Sequence, residues 1–151
     1  MENLDGVREL FNFDVADMMT EVIKGSRPQQ AMIELNQKQL QEGTDALGQT
    51  IVTIGGSPYR PHTVTIKRAQ GQSTNKVTLF DSGDFYQTFK VKILNDGFEI
   101  TANFQKGSDS ILDNFSSQFD FLGLDDERLA EFAVTVILPG LAGIIKKRFG
   151  I

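Results

Sequence analysis

Apolar residues recur at helical spacing over residues 4–24. Val7, Phe11, Val15, Met18 and Val22 share one face, with Arg8, Glu9, Asp17 and Glu21 off it. The pattern predicts an amphipathic helix that Gly25 ends. Ser26-Arg27-Pro28-Gln29 has the form of a capping box with proline in the first turn, predicting a second helix to about Gln41, closed by Gly43. Over 43–63 the chain is broken by Gly48, Gly55-Gly56, Pro58 and Pro61, and Ile51-Val52-Thr53-Ile54 fits a short strand or an extended arm. Residues 63–69 fit both a strand, because Val64 and Ile66 alternate, and two helical turns. Val77-Thr78-Leu79 is a further candidate strand. The clearest β pattern comes next: Phe89, Val91 and Ile93 alternate with Lys90 and Lys92, Asn95-Asp96-Gly97 supplies a turn, and Phe98, Ile100, Ala102 and Phe104 alternate on the return. A short helix or irregular segment from Asp109 leads to Phe119. Asp125 and Asp126 open a last helix with Leu129, Phe132, Val136, Leu141 and Ile144 on its apolar face. Pro139 is expected to kink it, and Lys146, Lys147 and Arg148 suit its negative end. The order predicts one α+β domain, 1–151: N-terminal helices, a long loop or arm at about 43–76, a small antiparallel sheet with a β-hairpin, and a C-terminal helix.

Composition narrows what such a domain does. The chain has 151 residues, enough for one ordinary core. Twelve Phe against two Tyr and no Trp favour rings without a polar handle, which suit a core or a dry protein interface. With no cysteine, disulfides and thiolate metal sites are excluded, and maturation in a reducing cytoplasm is expected. The acidic start lacks the basic-then-apolar order of a signal peptide. The apolar run 130–145 is shorter than the ~20 residues a spanning helix needs, so it reads as a buried or interfacial helix, with no membrane partner.

The net charge of −5 disfavours nucleic acid as the main ligand. Yet no Asp or Glu occurs from 46 to 80, where Arg60, Lys67, Arg68 and Lys76 fall. This basic patch in an acidic chain suits weak, non-specific contact with phosphates or, better, pairing with the acidic face of a second copy.

Candidate chemistry is sparse. His62 has no Cys or His partner for a zinc site and no nucleophile motif to serve. Asp81 and Asp84 are the best carboxylate pair for a hard cation or acid–base work, and a metal-dependent hydrolase is the enzyme they would make. Asp-Ser-Gly-Asp is equally ordinary turn and cap composition, which is the preferred reading. Gly55-Gly56-Ser57 and Gly71-Gln72-Ser73 lack the Lys-Ser/Thr of a phosphate loop. No catalytic, cofactor or metal residues are assigned, and the chain is read as a non-enzyme.

One spacing pattern carries more. Gly43-x-Asp45-x-x-Gly48-x-x-Ile51 is followed by Tyr59-x3-Thr63-x3-Lys67-x3-Gly71 and by Leu79-x-Asp81-Ser82-Gly83-Asp84-Phe85-Tyr86. Over roughly 39–104 this resembles the tail-completion and virion-morphogenesis proteins of tailed bacteriophages, the neck proteins that join tail to head connector. Ser82 stands where that family has Thr, Tyr59 stands where it often has Trp, and the loop around Gly55-Gly56 is longer. The resemblance implies a structural virion protein of the neck or tail, made in the host cytoplasm, forming a homo-oligomeric ring without cofactor. Its partners would be itself and the neighbouring connector and tail-tube or tail-terminator proteins, with non-specific DNA contact in the channel. It implies helices packed outside a small sheet, with 51–69 as an arm meeting the next subunit. Tyr59, Arg60, Thr63, Lys67, Arg68, Asp81, Gly83, Phe85 and Phe89 are the expected assembly residues. The alternative is a small adaptor that binds a phage or host protein through Phe119-Phe121-Leu122 and the kinked C-terminal helix.

Overall fold

A computed structural model describes residues 14–54 and 58–151. Within them the chain is α+β. Helices α1 (Val15–Ile23) and α2 (Ser26–Gln41) come first, then α3 (Pro61–Ala69) and the single turn α4 (Asp84–Gln87). Strands β1 (Lys90–Leu94) and β2 (Gly97–Thr101) form an antiparallel hairpin, and β3 (Gln105–Lys106) and β4 (Asp109–Ser110) form a miniature one. A 3₁₀ turn (Ile111–Asn114) leads to α5 (Asp126–Phe132), a π-helical turn (Ala133–Ile137) and α6 (Leu138–Phe149).

The hub is α2. It packs on α1, on α5 and on the inner face of β1, while α1 also packs on α6. Met32, Leu35 and Leu40 supply its apolar stripe, and the hairpin adds Ile100 with Val91, Ile93 and Phe98 partly buried. The expected hairpin forms, with Lys92 opposite Glu99 and Leu94 opposite Gly97, so that the turn itself is Asn95-Asp96 and Gly97 opens β2.

Several local expectations are corrected. Val7 and Phe11 lie outside the described residues. In α1 the buried face is Met18, Val22 and Ile23, whereas Val15 is 51% exposed, because the helix turns its Met18–Val22 side to α2 and α6. Ser26 is not a capping residue: Gly25, extended at ψ 148, is the N-cap of α2, no side chain caps it, and the Gln29 amide instead donates to the Lys24 carbonyl. Residues 51–54 pair with no strand among the described residues; Thr44 and Thr50 make an isolated bridge. Residues 77–79 belong to no strand, and Leu79 takes a left-handed conformation at φ 51. The ambiguous segment 63–69 is helical, starting at Pro61 as proline's preset φ allows.

The C-terminal helix differs most. Leu129 is 47% exposed, and Arg128 is buried in its place by ion pairs with Asp125, Glu127 and Glu42. Pro139 produces a widened turn just before it. Proline has no N–H to give the carbonyl four residues back, and the Leu138 N–H bonds to Ala133 in five-residue spacing. With Asp125 as N-cap and left-handed Gly150 as C-cap, the helical run Asp126–Phe149 spans 24 residues, longer than the apolar run suggested, and is long and apolar enough to cross a membrane by length and composition. Among the residues of its apolar window, 11% are buried. Gly140 sets how closely it meets α1: a Cβ there would lie 2.6 Å from Val22 Cγ1.

Candidate assembly surface

The expected assembly residues fall into two groups. Tyr59, Lys67, Asp81, Gly83, Phe85 and Phe89 converge inside one chain around 77–89, and Arg60, Thr63 and Arg68 remain on the outward side of α3.

The convergent group holds the irregular segment 77–81, which pairs with no strand among the described residues. The Thr78 N–H donates to the Tyr59 hydroxyl at 3.0 Å, and the Tyr86 hydroxyl donates to the Thr78 carbonyl at 2.6 Å. Lys67 Nζ donates to the Phe80 carbonyl at 2.7 Å and to Gln72 Oε1 at 3.0 Å, and it lies 4.8 Å from the centre of the Tyr59 ring. Gln72 Nε2 donates to the Asp81 carbonyl at 2.7 Å. Side chains therefore satisfy the backbone that a sheet would otherwise satisfy. They also stabilise Leu79 at φ 51, a left-handed conformation costing a leucine about 1–2 kcal/mol. Burial, and secondarily the nearby Tyr59 phenol, push the Tyr86 phenol well above its ordinary range.

Lys67 was expected on the basic patch, but α3 turns it inward and buries its ammonium, so it serves as a clamp. Asp81 and Asp84 do not act as a pair. Asp81 forms an ion pair with Lys106, and Asp84 Oδ2 accepts from Ser82 Oγ at 2.6 Å. No group of three or more His, Asp or Glu residues placed to hold a metal occurs among the described residues. Gly83, at φ 93 and ψ −5, makes the left-handed turn that launches α4. Phe85 and Phe89 are core residues, their rings 5.2 Å apart, and cannot contact a neighbour directly. They belong to a chain of rings running from Phe80 through Tyr86, Phe85 and Phe104 to Phe121, where Phe115 and Phe119 join. The phenylalanine excess is thus largely core. Phe121, offered as a docking residue for an adaptor, is buried in that chain.

The glycine-bearing loop is equally structural. The buried Asp45 carboxylate accepts the N–H groups of Leu47, Gln49 and Asp120, at 3.1, 2.7 and 3.1 Å. Gly43 and Gly48 take φ 82 and 74, and Ile51 is buried. The segment expected as an arm is held on its own domain: the Ile54 N–H bonds to the Asn114 carbonyl, and Tyr59 and Lys67 grip 78–80.

The sequence reading missed Asn36 and Gln39, both fully buried on α2. Asn36 donates to the Phe121 carbonyl and accepts from the Gly123 N–H; Gln39 donates to the Gly123 carbonyl and accepts from the Asp125 N–H, all at 2.8–3.2 Å. Two amides three residues apart thus read one edge of 121–125. The signal available was two polar residues interrupting the stripe Met32, Leu35 and Leu40.

The outward side of α3 carries exposed Arg60, His62, Ile66 and Arg68, with exposed Lys76 following; Thr63 is half-buried. Arg60, Arg68 and Lys76 form no ion pair among the described residues. In comparisons with known proteins, no family model, curated protein or solved structure matches this chain.

Proposed function

We propose that this chain is a structural virion protein of a tailed phage, one copy of a homo-oligomeric ring at the neck that joins or completes the tail at the head connector. The observation that carries the reading is how the three resembling segments are used. They immobilise backbone through Asp45, Tyr59, Lys67 and Tyr86 and leave α3 presenting cations that form no ion pair among the described residues of an acidic chain. Groups fixed in this way suit a rigid contact surface, and unpaired charge on it suits a complementary neighbour. The neighbours would be further copies and the adjoining connector and tail proteins, with sequence-blind contact to DNA in the channel.

Light scattering and negative-stain imaging of the full chain test this. Ring particles are expected for the wild type, and loss of assembly with unchanged far-UV circular dichroism for the Arg60→Glu/Arg68→Glu variant. A strict monomer at high micromolar concentration overturns the reading.

The exposed apolar side of Asp126–Phe149, with Leu129, Val134 and Leu138, favours a second reading: an adaptor that docks a phage or host protein on this helix. In that case a Val134→Asp/Leu138→Asp variant loses one heterologous partner and keeps its own oligomeric state.

A further inference from the structure

The β1/β2 hairpin is a two-stranded sheet with no third strand among the described residues. In an antiparallel pair every second residue directs its N–H and C=O away from its partner. Counted from the two-residue turn, the outward groups belong to Val91 and Ile93 on β1 and to Phe98 and Ile100 on β2. No turn, loop or side-chain hydrogen bond among the described residues uses them. The apolar side chains of these four residues face the core, so the hairpin is firmly seated while neither of its edges is paired by the described residues.

Charge on the two edges is opposite. The solvent face of β1 carries Lys90 and Lys92, and that of β2 carries Glu99; all three are exposed and have no ion pair among the described residues. Lysine commonly guards an edge strand against indiscriminate pairing. Segregated charge goes further and selects which edges meet. Joining β1 to β1, or β2 to β2, would place like charges side by side. Joining β1 of one copy to β2 of the next places Lys90 and Lys92 beside Glu99 and keeps the strands antiparallel.

We infer that the β1 edge of one copy pairs with the β2 edge of the next, so that a continuous sheet runs from subunit to subunit. This rests on the homo-oligomeric reading above and gives it a specific contact. The contact is head-to-tail, which generates a ring when the rotation per copy closes. The right-handed twist between neighbouring strands supplies such a rotation.

Amide hydrogen exchange on the full chain, read below and above the assembly concentration, tests the contact without any substitution. Exchange at Val91, Ile93, Phe98 and Ile100 should slow about tenfold or more on assembly, as buried ladder amides do. Lys92→Glu and Glu99→Lys provide an independent arm. Each alone should sediment as a monomer, and an equimolar mixture should reassemble, because each junction between unlike copies again joins opposite charges. Assembly with unslowed edge amides, or oligomers in both single variants, overturns the edge contact and leaves the ring reading standing on another surface. A wild type that never assembles overturns both.

Discussion

Tyr86 shows how much one hydroxyl carries here. Its donor bond to the Thr78 carbonyl is short and buried, and among the described residues Thr78 has no strand beside it to substitute. Tyr86→Phe should therefore cost about 1–2 kcal/mol in urea unfolding at neutral pH, the penalty of an orphaned buried acceptor. The pH dependence has a definite sign. The phenol is raised in the fold, so its stabilisation is complete below the unfolded value of about 10 and declines as pH rises past it, where the unfolded chain loses its proton first. The stability gap between wild type and Tyr86→Phe should accordingly narrow by about 1 kcal/mol near pH 10.5. A gap independent of pH would mean that the phenol is not shielded. Lys67 works in the same way through Phe80 and Gln72, which explains a cation buried against a ring and two oxygens without a carboxylate.

At the scale of elements, two contacts decide how the helices sit. Gly140 lets α6 approach α1 against a stiff Val22 side chain, whereas a Cβ at Gly143 would meet nothing within 4 Å. Gly140→Ala should destabilise by about 1–3 kcal/mol through overpacking. Gly143→Ala should be neutral or stabilising by up to about 1 kcal/mol, from helix propensity alone. The denaturant midpoint should thus fall for Gly140→Ala and hold or rise for Gly143→Ala. The amide pair on α2 makes the other contact. Gln39→Met keeps length and volume but orphans the Gly123 carbonyl and the Asp125 N–H, for an expected loss of about 2–4 kcal/mol. Faster exchange of the Asp125 amide should locate that loss at 121–125, and unchanged exchange there would reassign it to the core at large.

For the whole molecule, the governing fact is charge distribution in an acidic chain. Outward α3 carries cations, and the two hairpin edges carry opposite signs, so assembly built on them should weaken with salt. Screening shortens from about 10 Å at 0.1 M to about 3 Å at 1 M ionic strength. Sedimentation across that range should show larger species giving way to smaller ones. Assembly strengthened by salt would instead point to the apolar side of Asp126–Phe149 as the main contact, since excluded salts favour apolar burial.

Periodicity and turn chemistry alone determined the helix to Gln41, its closure at Gly43, the hairpin around Asn95-Asp96-Gly97 and the C-terminal helix, because each rests on local spacing and backbone preference. Gly83 was equally legible as a turn former. What tertiary structure decided lies in long-range partners that no local pattern specifies. Whether Lys67 faces water or Phe80 depends on a carbonyl thirteen residues away. Whether Asn36 and Gln39 are surface or core depends on a segment more than eighty residues away. Residues 77–79 have strand composition, yet tyrosine hydroxyls and a lysine took the place of the partner strand. Residue order set the local shapes, and only the packed chain chose which polar groups would close one another's hydrogen bonds.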